Sequence, residues 1–437
     1  MEFLIAGLLG VIVLTAIIQK PFFGLYLFTV MLYIKPAIFG AIFASMRVTL
    51  LVGALTFFAL FFHSRKNGGL RFFDDVQSKW LVAFGVVMCL SLATSIWKSN
   101  TVGFIGNFLK IYIAYFLITN LLDALKRFRA IVWAMVLSML YIGVTSIKSY
   151  YGSGGGDGRM FGAYSGALFG DPNDMALGFT MLIPFLYFDL FRGRGILRKI
   201  IQLGIMGVFF WSIVLTQSRG GTIGLMVMFF VLWLKNKRKV LVAVLGILIL
   251  SAGWQIAPQS YRDRILSIQT AADDDNAAIS RMDAWKAGVN MMKSRVFGVG
   301  GGNFGEGFVL YRPSDAVDVQ GVRRASHNMF IQVGGETGLP GLIIFLFMLG
   351  ETFKGLNRTK RGMTEDGGWK IERNKEIVLL ADATFVSLVG YCASGFFLSQ
   401  GYNFVLYYLV AFSVVLEHIS NQENEIGKIE KGKKKEA

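Results

Sequence analysis

Apolar stretches of membrane-spanning length recur along nearly the whole of the 437 residues, from Phe3–Ile18 to a run ending near residue 416. A chain that is 54% hydrophobic, with mean hydropathy +0.54, has more continuous apolar surface than one water-soluble core can enclose. It is therefore expected to be an all-α, polytopic membrane bundle. The alternating segments of ~10 residues that a membrane β-barrel needs are absent. The spanning candidates are 3–18, 22–44 (broken at Lys35-Pro36), 48–62, 79–96, 103–122, 127–147, 173–190, 199–216, 221–234, 239–256, 328–350, 378–397 and 401–416, which makes about 12–13 helices. No small-residue cleavage site follows Phe3–Ile18, so this segment reads as a retained first helix.

Charge sets the orientation. Arg65-Lys66, Lys126-Arg127, Arg192–Lys199, Lys235–Lys239, Lys354–Lys375 and Lys428–Lys435 all fall on one side when the spans alternate, and they supply much of the net charge of +16. That side reads as cytoplasmic. Basic runs also attract nucleic acid, but runs placed between spans serve as topology signals and contacts to membrane lipids, so no nucleic-acid partner is expected. The chain divides into N-terminal spans (1–256), an outer loop region (257–327), C-terminal spans (328–416) and a basic cytoplasmic tail (417–437).

The outer face then carries residues 148–172, the turn Gln217–Gly221 and the long segment 257–327. Within the last, Ile279, Met282, Trp285, Val289 and Met292 recur every three or four residues. This spacing predicts an amphipathic helix along the membrane surface, placed as a lid. Asp273-Asp274-Asp275-Asn276 lacks the glycine and distal glutamate of a calcium loop and reads as a solvated approach to that helix.

Metal and cofactor chemistry find little support. The three histidines, His63, His327 and His418, are isolated, and Cys89 and Cys392 lie inside apolar segments as small buried hydrophobes. Gly300-Gly301-Gly302-Asn303 has no following Lys-Ser/Thr, so it is not a nucleotide loop. No metal and no cofactor are expected.

What remains is one histidine and several arginines on the outer face. His327 stands in Ser326-His327-Asn328 at the lip of the span that follows Gly334-Gly335-Glu336-Thr337-Gly338-Leu339-Pro340-Gly341. Arg219 sits in a tight turn between two spans, where an unpaired charge at full depth costs at least ~2.5 kcal/mol, so either an anionic partner or snorkelling to lipid phosphate is implied. Arg281 opens the amphipathic segment, where Asp283 offers a simple salt bridge. Arg159 follows a glycine-rich run, and Asp171-Pro172-Asn173-Asp174 has the form of a helix cap. Guanidinium groups hold diphosphate oxygens bidentately and a neutral imidazole takes a proton from a hydroxyl, so the set suits transfer from a lipid-linked diphosphate, which is already activated.

These motifs also carry a resemblance. Arg281 with Trp285, the stretch Phe297–Phe304, His327-Asn328 with Glu336-x-Gly338-Leu339-Pro340-Gly341, and Ser218-Arg219-Gly220 together resemble the O-antigen ligase/polymerase superfamily of bacterial membrane glycosyltransferases, over about residues 150–415. Gly158-Arg159-Met160-Phe161-Gly162, Asp171–Leu177 and Pro21-Phe22-x-Gly24-Leu25 are similar to the branch of O-glycosylation ligases associated with exosortase systems. The resemblance implies a metal-independent, inverting transferase in the bacterial inner membrane, acting at the periplasmic face on a glycan linked to undecaprenyl diphosphate. The acceptor would be a lipid (lipid A-core), a glycan or a protein hydroxyl. Carried onto this chain, Arg219 and Arg281 would hold the diphosphate and His327 would activate the acceptor. Arg159 would be a further contact and Glu336 would support the histidine loop, with Asp171, Asn173, Asp174, Ser218 and Asn328 completing the substrate-binding set. A ligase and a polymerase use the same donor, and a lipid-linked sugar transporter would also need arginines in the membrane. Transport proteins favour internal repeats and midplane charges, neither of which is visible.

Overall fold

The computed structural model describes residues 2–34, 48–67, 69–155, 158–163, 168–192, 195–235, 239–270, 276–316, 321–364 and 372–436. The Lys35-Pro36 break and the Asp273-Asp274-Asp275 run lie outside the described residues.

The described residues are helical and contain no strand. In chain order the helices are α1 (Glu2–Gln19), α2 (Pro21–Tyr33), α3 (Val48–Asn67), α4 (Val76–Thr94), α5 (Lys98–Leu121), α6 (Leu125–Gly152), α7 (Pro172–Asp189) and α8 (Ile196–Thr216). There follow α9 (Arg219–Lys235), α10 (Lys239–Ile256), α11 (Gln259–Thr270), α12 (Asn276–Ser294), α13 (Phe304–Tyr311), α14 (Met329–Thr364), α15 (Glu372–Gly395) and α16 (Phe404–Glu436). Seven are long and apolar enough to cross a membrane: α4, α5, α6, α8, α14, α15 and the Phe404–Ile426 part of α16. Shorter apolar helices include Gly10–Gln19, Pro21–Tyr33, Val48–Ser64 and Gly246–Gln255. The chain is an all-α polytopic membrane bundle.

Phe404–Ile426 is the most enclosed of the seven spans. It packs against α5, α14 and α15, while α7 and α9 pack on α15 and α4 on α14. Lipid tails are as apolar as leucine, so helices in a bilayer associate through close packing and polar contacts. The contact of α9 with α15 uses both: Lys235 pairs with Asp382 across it at 2.6 Å, and a Cβ at Gly224 would stand 1.9 Å from Ser394 Oγ and 3.0 Å from Gly390 O, so glycine allows the close approach.

The two ends of the bundle differ chemically. At one end cations from the basic connections tie helices together. Arg129 and Arg192 both grip Glu376, Lys235 and Lys360 share Asp382 at 2.6 and 3.2 Å, and Arg358 bridges Glu351 and Glu417 at 2.7 and 2.8 Å. Several residues read as topology signals are thus also inter-helix clamps, because a largely covered carboxylate otherwise loses its solvation without a partner. Cys89 departs from its expected burial: it is exposed on α4, while Cys392 is half-buried. On α12 the residues of the three-or-four spacing, Ile279, Met282, Trp285, Val289 and Met292, are half-buried or exposed, and a different stripe packs inside the protein. Met282 is exposed, and the buried stripe is Ser280, Asp283, Ala284, Ala287 and Met291, because small side chains let α12 lie close against α14 and α13. The helix is docked on a second small core with Val299, Phe304 and Phe308.

Sidedness is checked by labelling. Ser314 and Thr364 are both exposed, at opposite ends of the bundle. A cysteine at Ser314 is expected to react with an impermeant thiol reagent in intact spheroplasts and one at Thr364 to stay unlabelled; the reverse pattern would put the candidate site in the cytoplasm.

Candidate active site

The scaffold of the site is a broken helix. Within α14, Gly338 has φ 72° and ψ −177°, a conformation open to glycine, and Pro340 follows, whose missing N–H suits the first turn of the segment beyond. The break exposes carbonyls that must be satisfied at membrane depth. The glycine-rich stretch does this: Val299 N donates to Gly335 O at 2.9 Å and Gly300 N to Glu336 O at 3.0 Å. The fit is tight, since a Cβ on Gly338 would lie 1.9 Å from Val296 O. Phe297–Phe304 and Glu336–Gly341, separate motifs in the sequence, are therefore one structural unit.

Glu336 belongs to that unit. It is buried, its Oε1 accepts from Phe304 N at 3.3 Å, and Gly302 and Tyr402 also face it. In the structure it holds the glycine-rich loop, accepting from the amides of Gly302 and Phe304.

His327 is held by its backbone. It has φ 47°, one of two non-glycine residues with positive φ among those described; the other is Gln217. That conformation costs about 1–2 kcal/mol for an L-residue. The His327 N–H bond to Ser399 Oγ at 2.9 Å offsets about half or more of it, since such bonds contribute about 1 kcal/mol. Ser399 also meets Ser326 Oγ at 2.8 Å, and Trp285 Nε1 donates to Ser326 O at 3.0 Å while its ring packs edge-on against Phe396. The helix cap is Asn328, not His327: Asn328 Oδ1 accepts from Phe330 N at 2.9 Å and Ile331 N at 3.1 Å. Asn328 is buried in this role, and the capping oxygen is its amide rather than the His327 imidazole.

A second polar group forms where three chain segments meet. Ser218 Oγ and Arg159 Nη2 both donate to Asn173 Oδ1, at 2.9 and 2.8 Å, and Arg159 Nε donates to Thr216 O at 3.0 Å. Gln217 Nε2 reaches Gly158 O at 3.2 Å, and Ser218 Oγ accepts from Gly221 N at 3.1 Å, capping α9. Asp171 caps α7 through Asn173 N at 2.7 Å. Asp174 accepts from Gln400 Nε2, next to the serine that holds His327. Arg159, Asn173 and Ser218 thus fasten the loop to the α8–α9 turn, and Arg219 begins α9 beside them, half-buried.

Electrostatics joins the two groups. Burial, and then the positive charges of Arg281 and Arg324, hold the His327 imidazole below its ordinary value of 6.5, while Asp171 acts in the opposite direction. Arg281, Arg324 and Asp171 are therefore all close enough to His327 to act on it. Asp283 pairs with Lys286 at 3.7 Å. The N-termini of α7, α9 and α14 also end here, each presenting a partial positive charge. The arrangement offers a neutral base beside cations and helix N-termini, a setting for a polyanion. Sequence reasoning missed Arg324, Ser399 and Gln400. The first adjoins His327 closely in sequence, and the other two form a polar turn between spans on the same face, which is the available signal.

Residues 203–346 match the family model described as O-antigen ligase. The match takes in Ser218, Arg219, Arg281, His327, Asn328 and Glu336, and it leaves Arg159, Asp171–Asp174 and Ser399-Gln400 outside. No curated protein matches the chain.

Proposed function

Because the chain is a multi-pass membrane protein of the O-antigen ligase superfamily, we propose that it transfers a glycan from undecaprenyl diphosphate to an acceptor hydroxyl on lipid A-core or protein, at the periplasmic face of the bacterial inner membrane. The single observation that carries this reading is the gathering of His327, Arg281, Arg324 and Asp171 at one end of the bundle, opposite the basic connections. A transporter would set such charges near the midplane.

The proposed reaction is one displacement with inversion. The acceptor oxygen attacks the anomeric carbon, the bond from that carbon to the phosphate oxygen breaks, and the electron pair leaves with the lipid diphosphate. His327 takes the acceptor proton. Arg219 and Arg281 hold the diphosphate and balance its growing charge. Arg159 acts through Asn173 and Ser218, shaping the loop beside Arg219. The mechanism proposed is metal-independent, with guanidinium groups rather than a metal cation balancing the charge. The exosortase-associated branch is a narrower part of the proposal, resting on Arg159–Gly162 and Asp171–Leu177, which lie outside the family match. A polymerase differs only in taking another lipid-linked glycan as acceptor.

The test uses purified full-length protein in lipid nanodiscs with its host's undecaprenyl-diphosphate-linked glycan, excess chelator and no nucleotide. Transfer to lipid A-core or protein is expected. Growth of the lipid-linked glycan alone identifies a polymerase, and a strict requirement for Mg²⁺ or Mn²⁺ contradicts the arginine-based mechanism.

A further inference from the structure

A cavity of about 420 Å³ opens at the same end of the bundle as His327, outside the group described above. Its walls include Trp97, Leu310, Glu306 and Arg323. Trp97 precedes α5 and is 47% exposed. Its backbone is nevertheless fixed: the buried Asn303 donates through Nδ2 to Trp97 O at 3.3 Å and to Ser95 Oγ at 3.0 Å, while Ile96 N donates to Val299 O at 3.0 Å. The indole is thus a large exposed ring on a rigid mount. Across the cavity Arg323 Nη1 and Glu306 Oε1 pair at 3.1 Å, with most of the arginine exposed and most of the carboxylate covered.

A tryptophan near a membrane surface is commonly an interfacial anchor, with its ring among lipid headgroups. An anchor has no need of a cavity or of an ion pair facing it. A pyranose ring needs both: its C–H face is apolar and rests on an aromatic plane, and its hydroxyls are donors and acceptors that a carboxylate and a guanidinium satisfy. The volume is that of a small-molecule site.

Position links the cavity to the chemistry. Arg323 is four residues before His327, so even fully extended chain separates their backbones by no more than ~14 Å. The intervening Arg324 acts electrostatically on His327, and Gly305 of α13 faces Arg323 Cβ and Arg324 O, which a Cβ on it would meet at 3.6 and 3.9 Å.

We propose that this cavity is a saccharide subsite, in which Trp97 stacks on a sugar ring and the Glu306–Arg323 pair binds its hydroxyls, holding the substrate glycan a few sugar units from the bond that forms at His327. The subsite rests on the transferase reading for its role, and its saccharide binding is measurable without turnover. The glycan belongs either to the donor or to the acceptor.

The experiment compares the full-length wild type with Trp97→Ala, Trp97→Phe and Glu306→Gln in nanodiscs. Trp97→Ala is expected to raise KM for one substrate on the order of tenfold, the scale of losing one well-placed aromatic contact, with kcat within about twofold. Trp97→Phe should recover most of that loss, and Glu306→Gln should raise the same KM. A rise in the donor KM assigns the subsite to the donor glycan, and a rise in the acceptor KM assigns it to the acceptor. Unchanged KM values for both substrates overturn the proposal, whether or not membrane insertion or thermal stability falls. If the wild type shows no transfer, saturation-transfer NMR with the oligosaccharide released by mild acid from the host's lipid-linked glycan decides. A saccharide signal lost in Trp97→Ala but kept in Trp97→Phe supports the subsite, and equal or absent signals in all proteins overturn it.

Discussion

His327→Gln is expected to slow glycan transfer at least ~100-fold, the lower end of what general-base catalysis contributes, while the protein stays folded and still binds the lipid-linked donor. Glutamine is the informative replacement because it can donate and accept hydrogen bonds yet takes no proton at neutral pH. The fold is indifferent to the exchange for two reasons. The loop is held by the His327 backbone N–H on Ser399, and the helix that follows is capped by Asn328. His327→Ala should behave in the same way. Turnover of the glutamine variant at the wild-type rate in a purified assay would remove the base and leave catalysis to the arginines.

Arg219→Lys should be nearly as damaging as Arg219→Ala, losing roughly ten- to a hundredfold in kcat/KM. Lysine keeps the charge at the start of α9 but lacks the planar fork, and one hydrogen bond to a charged group is worth ~1.5–3 kcal/mol. The turn has contacts of its own besides that side chain, because Ser218 caps the helix and Gly220 lies against Phe397. The measurement is steady-state transfer with donor varied at saturating acceptor. Full activity in the lysine variant would reduce Arg219 to a point charge or a lipid anchor.

Much of this architecture is legible in the chain because bilayer physics acts on composition. Apolar length and the distribution of lysine and arginine give the spans and separate the two ends of the bundle, and α4, α5, α6, α8, α14 and α15 fall where the hydropathy places them. Packing is harder to read. The buried face of α12 runs through alanines and a partly polar stripe, since close approach rewards small side chains rather than large apolar ones. The break at Gly338 and the loop that satisfies its carbonyls are more than thirty residues apart, and only their contact explains why both are rich in glycine. The candidate site follows the same division. His327, Arg219 and Arg281 are singled out by residue type and face alone, and their roles are part of the proposal. The work of Asn328 as a cap, of Glu336 under the glycine-rich loop and of Ser399 beneath His327 depends on backbone hydrogen bonds that no local pattern encodes.

The central claim is that a neutral imidazole among cations performs the transfer, and the pH dependence of kcat/KM for the purified wild type tests it most directly. Burial and the charges of Arg281 and Arg324 disfavour the protonated form of His327, so its base form persists to lower pH than in an ordinary histidine. Because kcat/KM reports the free enzyme, the acid limb should lie below 6.5, with activity lost as pH falls through it. Bound diphosphate adds negative charge beside the ring, so the corresponding limb in kcat should lie higher. A profile with this displaced acid limb, absent from the residual activity of His327→Gln, is the predicted result. A wild-type profile flat through the histidine range, or an acid limb that survives in His327→Gln, would contradict the account.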